Sequence, residues 1–233
     1  MTIPKRTLII GDIHGCFDEL SLALDYHNYN PNTDRIISTG DLVHKGPYSA
    51  KVLEFFYENS LEFVLGNHDK KLLDMLEGKR PPYDEGEKIL SELSLSKITL
   101  REWLSEAPLF IKGEEMVVVH AALDPRATDP LSSTGDFMYL ARYLETSSGT
   151  LIESAEPPIP PSIVPWYEQF DTAAIGKRAV VFGHWARPHI RVRNNCYCLD
   201  TGCCYGGALT TLTIPDFSLS QIQSTQPKLA HYR

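Results

Sequence analysis

Long apolar runs are missing from this 233-residue chain, and basic residues are outnumbered: 22 Lys and Arg stand against 30 Asp and Glu, a formal net charge of −8. No stretch approaches the roughly 18 apolar residues of a membrane-spanning helix. The first β-prone run, Thr7–Ile10, is too short for a signal-peptide core, and no cleavage pattern follows it. These absences predict a soluble, cytoplasmic protein. The shortage of positive charge argues against nonspecific nucleic-acid binding, which needs a basic face to neutralise phosphates, and against an anionic membrane surface. Cysteines are few and odd in number: Cys16, Cys196, Cys198, Cys203 and Cys204. Their crowding near the C-terminal end suits neither a disulfide framework nor a zinc knuckle, and small buried apolar residues are the expected role. What remains is a chain with 42% hydrophobic residues and too little net charge to be disordered. At about 100–200 residues per domain, one domain spanning 1–233 is expected.

The first 70 residues alternate strand and helix signals. Thr7–Ile10 ends at Gly11, Arg35–Thr39 ends at Gly40-Asp41, and Leu61–Leu65 ends at Gly66-Asn67. Phe17, Leu20 and Leu24 fall at helical spacing after the first run; Val52, Leu53 and Phe56 do so after the second. This βαβαβ order predicts parallel strands joined by crossover helices. Residues 78–108 read as a small helical insert, through Leu90, Leu93, Leu100, Trp103 and Leu104. Met116–Val119 is strongly β-prone and ends at His120. Residues 124–178 are loop-rich, with a helix expected at 136–145 and an extended stretch at Pro157–Pro161. Ala179–Phe182 then leads to Gly183-His184, and Cys196–Leu199 and Leu209–Ile214 are further strands. The polar tail is expected to be ordered only where it docks.

Several strands end in the same kind of polar cluster: Gly11-Asp12-Ile13-His14-Gly15, Gly40-Asp41, Gly66-Asn67-His68-Asp69, His120 and Gly183-His184. Ligand sites of open α/β sheets lie at the carboxyl ends of strands. Asp12, His14, Asp41, Asn67, His120 and His184 are therefore expected to converge at one edge. Each of these residue types taken alone has an ordinary structural explanation, as a turn residue or a buried histidine; the ordered series does not. Carboxylate, amide and imidazole ligands suit Mn, Fe or Zn better than thiophilic metals. Six such groups suit two ions sharing a carboxylate, the arrangement that supports in-line phosphoryl displacement.

In these motifs the sequence resembles the calcineurin-like metallophosphoesterases, specifically the phosphoprotein phosphatase family. The resemblance covers most of the chain, from Gly11 to about Leu212. It implies a four-layer α/β/β/α sandwich, two sheets face to face with helices outside. It also implies two divalent ions, with manganese preferred over Fe, Zn or Co. Asp12, His14 and Asp41 would hold one ion, and Asp41, Asn67, His120 and His184 the other. His68 occupies the family's catalytic-histidine position, and the adjacent Asp69 is taken with it as a candidate catalytic residue.

The second motif departs from the family pattern. His44-Lys45 stands where Asp-Arg is usual, so Lys45 would meet phosphate as a point charge and His44 cannot be an anionic partner for His68. The run Leu199-Asp-Thr-Gly-Cys-Cys-Tyr-Gly-Gly-Ala-Leu-Thr-Thr-Leu212 resembles the corresponding segment of symmetrical diadenosine tetraphosphatases. Arg142 is a candidate phosphate ligand, Arg126 and Arg187 are weaker ones, and Pro165-Trp166-Tyr167 offers either an aromatic surface for a base or a cover for the core. The expected partner is a small phosphorylated substrate of nucleotide type, such as diadenosine tetraphosphate. A protein serine/threonine phosphatase, a polyphosphatase and a noncatalytic scaffold on this fold are the alternatives.

Overall fold

The computed structural model describes residues 5–229. The expectations for the extreme N-terminal residues and for the last four residues of the polar tail lie outside that range.

Three β–α units open the fold. β1 (Arg6–Ile10) leads to α1 (Phe17–Tyr26), β2 (Asp34–Ser38) to α2 (Ser49–Glu58), and β3 (Glu62–Phe63) to α3 (Asn67–Leu76). Next come α4 (Asp84–Glu92), α5 (Lys97–Ser105), β4 (Phe110–Lys112) and β5 (Met116–Val119). The single-turn α6 (Phe137–Leu140) precedes β6 (Tyr143–Glu145), β7 (Leu151–Ile152) and β8 (Ile163–Pro165). The chain closes with β9 (Ala179–Phe182), β10 (Arg191–Arg193), β11 (Cys196–Cys198), β12 (Asp200–Thr201), β13 (Ala208–Ile214) and β14 (Ser218–Gln223).

These strands build two main sheets. One runs β12-β13-β1-β2-β3, with β14 also on β13; the other runs β10-β11-β9-β5-β4. Because successive side chains on a strand face opposite ways, β1 divides its residues between two cores. Ile9 packs with Met116, Val118, Ala179 and Val181 between the sheets. Leu8 and Ile10 pack with Leu20, Val52, Leu53, Phe56, Leu72, Ile89, Leu100 and Leu104 from α1 to α5 on the outer face. The second sheet divides likewise: Val117, Val119, Val180 and Phe182 face Met138, Leu144, Trp166 and Phe170. The multilayered mixed α/β sandwich is therefore written in the alternation of its strands. Its outer layers differ, with five helices on one side and, on the other, α6, short 3-10 turns and a three-stranded sheet β7-β6-β8.

Two local expectations need correction, and a third is met. The helix expected at 136–145 stops after one turn, because Tyr143–Glu145 pairs with both β7 and β8 and tertiary pairing overrides helical spacing. The third strand is shorter than Leu61–Leu65, although Val64 still bonds to the Ser38 carbonyl at 3.2 Å. The polar tail docks: β14 pairs antiparallel with β13 from Thr213↔Ser218 to Ala208↔Gln223. Glu19 of α1 holds the segment beyond it by accepting from the Thr225 backbone N–H at 2.8 Å.

Candidate metal centre

β1, β2 and β3 run parallel, as do β5 and β9, so the polar residues after them share the carboxyl edges of the two sheets. The backbone turns sharply there. His14, Asp41 and His184 have φ of 46°, 52° and 66°, a left-handed conformation that residues other than glycine seldom adopt and that concentrates at functional sites. Gly183 is required by close approach: a Cβ there would sit 1.7 Å from Asp12 Oδ1.

Three histidines have their tautomers set by backbone carbonyls, which can only accept. His14 Nδ1 donates to Val43 O at 2.9 Å, His120 Nδ1 to Thr39 O at 2.7 Å, and His184 Nε2 to Leu140 O at 2.9 Å. Burial holds His14 and His184 well below the usual histidine range and pushes His120 down to about 4. The neutral rings therefore present lone pairs at His14 Nε2, His120 Nε2 and His184 Nδ1. This is the state a metal needs, with the second nitrogen fixing ring orientation.

The carboxylates lie between these lone pairs. Asp41 Oδ2 is 3.4 Å from His14 Nε2, and Asp41 Oδ1 is 3.6 Å from His120 Nε2. Asn67 Oδ1 lies 3.0 Å from His120 Nε2 and 2.9 Å from His184 Nδ1. Asp12 accepts from Thr39 Oγ1 and the His184 backbone N–H, both at 2.8 Å. Burial raises Asp12 well above the carboxylate range, with Asp200 and Asp41 adding to it, and raises Asp41 to about 7 against the pull of Lys45. Raised carboxylates beside lowered imidazoles have one first cause, desolvation by burial, which disfavours the charged form of each and leaves a pocket of lone-pair acceptors. Divalent cations would stabilise ionised carboxylates and neutral imidazoles together, so the donor set fits them.

Lys45 supplies the internal cation. Its Nζ donates to His14 Nε2 at 2.9 Å and lies 5.1 Å from the centre of the Tyr205 ring. Arg142 is close enough to lower both Asp41 and His184, and its buried Nε has no hydrogen-bond partner among the described residues. His68 belongs to the same cluster: a ring nitrogen of His68, one of His14 and a carboxylate oxygen of Asp41 lie within 4.8 Å of one another. The His68 backbone N–H donates to Asp41 Oδ1 at 2.8 Å.

Asp69, expected beside His68 as a catalytic partner, requires correction. Its oxygens accept from the Leu42 N–H at 2.9 Å and the Gly66 N–H at 3.2 Å, so it staples the second motif to the start of α3. The His68 ring instead meets His44, Nδ1 to Nδ1 at 3.1 Å, and His44 Nε2 meets Tyr83 Oη at 2.8 Å. Trp166 and Tyr167 are buried against Phe182 and cover the core. Arg126 bonds to the Thr146 carbonyl, and Arg187 stacks over Trp185. All five cysteines are free; Cys196 and Cys198 join one apolar core and Cys16 and Cys203 another. Sequence reasoning passed over Asp200, whose buried carboxyl is raised by desolvation and adds to the field on Asp12. Its strand-end Asp-Thr-Gly setting was the available signal. It also passed over Tyr83, for which no local signal exists.

The pattern of the calcineurin-like phosphoesterases matches residues 5–188. A symmetrical bis(5'-nucleosyl)-tetraphosphatase of Haemophilus ducreyi is 30% identical, covering 88% of this chain and 94% of that protein. The corresponding protein of Pectobacterium atrosepticum is 31% identical, over 96% of this chain and 95% of its own length. A solved structure described as a candidate diadenosine tetraphosphatase superposes with a TM-score of 0.80 at 27% identity, covering 96% of this chain and 97% of that one. With strand-end ligands, pre-set histidines and near full-length likeness in agreement, the chain belongs to the calcineurin-like phosphoesterase family and is a metal-dependent phosphohydrolase with the dinuclear divalent-metal site of that family.

Proposed function

We propose that the protein hydrolyses symmetrical dinucleoside tetraphosphates such as diadenosine tetraphosphate, releasing two nucleoside diphosphates. The observation that carries this reading is the convergence of three carbonyl-fixed histidines on Asp41 and Asn67, in a chain alike over 88% and 96% of its length to two enzymes named for that reaction. Asp12, His14 and Asp41 would hold one ion; Asp41, Asn67, His120 and His184 would hold the other. Manganese is the ion this reading prefers, and the thiolate-free set of three oxygen and three imidazole ligands also suits Fe or Zn. Two such ions, when bound, polarise a phosphoryl oxygen and acidify a water.

The chain's own residues do the rest. Lys45 leaves His14 Nε2 when that nitrogen is engaged, and its flexible stem carries the ammonium toward substrate. Arg142, whose Nε has no partner among the described residues, joins it in offsetting charge on nonbridging oxygens. His68 Nε2 has no hydrogen bond among the described residues and is available to the leaving oxygen. The reading takes the chain as one domain, with 78–108 as the insert. A cytoplasmic location is part of the same proposal; no described helix is long and apolar enough to cross a membrane.

The test is a substrate panel with Mn²⁺, Co²⁺, Mg²⁺ and Zn²⁺, containing diadenosine tetraphosphate, long polyphosphate, a phosphopeptide and a nucleoside monophosphate. Two ADP per dinucleotide, at the highest kcat/KM of the panel, are expected. Preference for the phosphopeptide or the polyphosphate would overturn the substrate assignment.

A further inference from the structure

His68 has an unusual neighbour. The family pattern places an aspartate at position 44, which could only accept a hydrogen bond from His68. Here the contact is between two imidazole nitrogens, His44 Nδ1 and His68 Nδ1, 3.1 Å apart. One of them carries a proton and the other a lone pair, so the pair has two possible senses. Tyr83 selects between them. Its hydroxyl lies 2.8 Å from His44 Nε2 and has no other hydrogen-bond partner among the described residues. A phenol donates well, and an unprotonated imidazole nitrogen is its one acceptor here.

The structure holds Tyr83 firmly in that position. Tyr83 precedes α4, and Gly86 leaves room for its ring, since a Cβ there would be 2.7 Å from Tyr83 Cζ. Lys71 Nζ lies 4.2 Å from the ring centre. Two residues on, Glu85 accepts from the Lys45 backbone N–H at 2.6 Å, so the start of α4 grips the second motif at two successive residues. His44 is itself fixed, fully buried with its backbone N–H donating to Ser49 Oγ at 2.9 Å.

We propose that Tyr83 and His44 are positioning residues that fix the tautomer of His68: Tyr83 donates to His44 Nε2, His44 Nδ1–H donates to His68 Nδ1, and the His68 proton is thereby kept on Nε2. The polarity is the reverse of an aspartate–histidine pair. His68 then offers a neutral N–H to the leaving oxygen as a hydrogen-bond donor, with no net proton transfer. This rests on the proposed substrate only for the leaving group. A departing nucleoside diphosphate ends in a phosphate with a second pKa of about 6, weakly basic enough that a donor suffices.

The tautomer is read directly by 15N NMR of histidine-labelled protein loaded with Zn²⁺, which is diamagnetic. The wild type is expected to show His68 protonated on Nε2. Tyr83→Phe should give a mixture or a shift to Nδ1–H, and His44→Asp should give the Nδ1–H form with Tyr83 still present. The amide spectrum of each variant reports whether the fold is intact. On the dinucleotide, Tyr83→Phe should lower kcat about three- to tenfold with KM nearly unchanged, as loss of one aligned hydrogen bond would. In the His44→Ala background, Tyr83→Phe should have no further effect, whereas a merely structural tyrosine would act in both backgrounds. Wild-type His68 protonated on Nδ1, or a Tyr83→Phe protein with unchanged tautomer and kcat, would overturn the inference. If the dinucleotide is not a substrate but the tautomer responds as stated, the substrate reading fails and the relay stands.

Discussion

The two halves of the ligand cluster solve one electrostatic problem differently. Around His14, the chain brings its own cation: Lys45 Nζ caps His14 Nε2, and Asp41 stands beside them. Around His120 and His184, the Asn67 carboxamide sits between the two imidazole lone pairs, with Asp41 Oδ1 3.6 Å from His120 Nε2 and the Arg142 charge near enough to lower His184. Turned with its oxygen inward, that amide adds a third lone pair and calls for a cation; turned with its nitrogen inward, it would satisfy both rings unaided. Ion occupancy in this half is therefore linked to the orientation of one amide, and in the other half to the departure of one lysine. Asp41 belongs to both halves.

That shared position gives the largest expected effect. Asp41→Asn should remove more than about a hundredfold of kcat/KM, beyond the usual loss from an outer-sphere change, and metal analysis should show both halves weakened. Loss of one ion with the other bound at wild-type affinity would break the claim that Asp41 bridges. A smaller effect comes from pH. Burial raises Asp41 from the ordinary 3.8 to about 7, and its proton must leave before a cation binds, while His120, lowered to about 4, is neutral above that value. Cation affinity should rise with pH by about tenfold per unit for each displaced proton and flatten once both raised carboxyls, Asp41 and Asp12, are ionised. Calorimetry at several pH values in buffers of different ionisation enthalpy checks both the slope and the proton release; affinity independent of pH would contradict the raised carboxylate. The smallest effect separates the halves. Lys45→Met should tighten cation binding at the His14 half by a few-fold to about tenfold, since a competing ammonium is gone, and leave the His120 half unchanged. Weaker binding would show that Lys45 supports the ion and does not compete with it.

Much of this site was legible because it sits where pattern and chemistry coincide. Asp12, Asp41, Asn67, His120 and His184 each follow a short β run, and strand ends are recognisable from alternation and a terminal glycine. Asp69 misled because it adjoins His68 in sequence. Both residues lie in the first turn of α3, where successive side chains point about 100° apart, so the neighbour in sequence faces elsewhere. The Tyr83–His44 contact joins residues 39 positions apart, one in a motif loop and one at the head of α4. No periodicity encodes such a meeting; it follows from how α4 packs. β14 escaped notice because it runs on the outer margin of its sheet with mostly polar residues, and its order comes from pairing with β13.

The carbonyls of Val43, Thr39 and Leu140 aim the three histidines proposed as ligands. A carbonyl belongs to every residue type, so replacing any of those three side chains leaves the aiming bond chemically intact. The site is open to genetic drift at its supporting positions as long as the backbone trace is kept. Diversification of this enzyme can therefore proceed through its insert and its charged loops, with the aim of its metal ligands inherited as backbone shape.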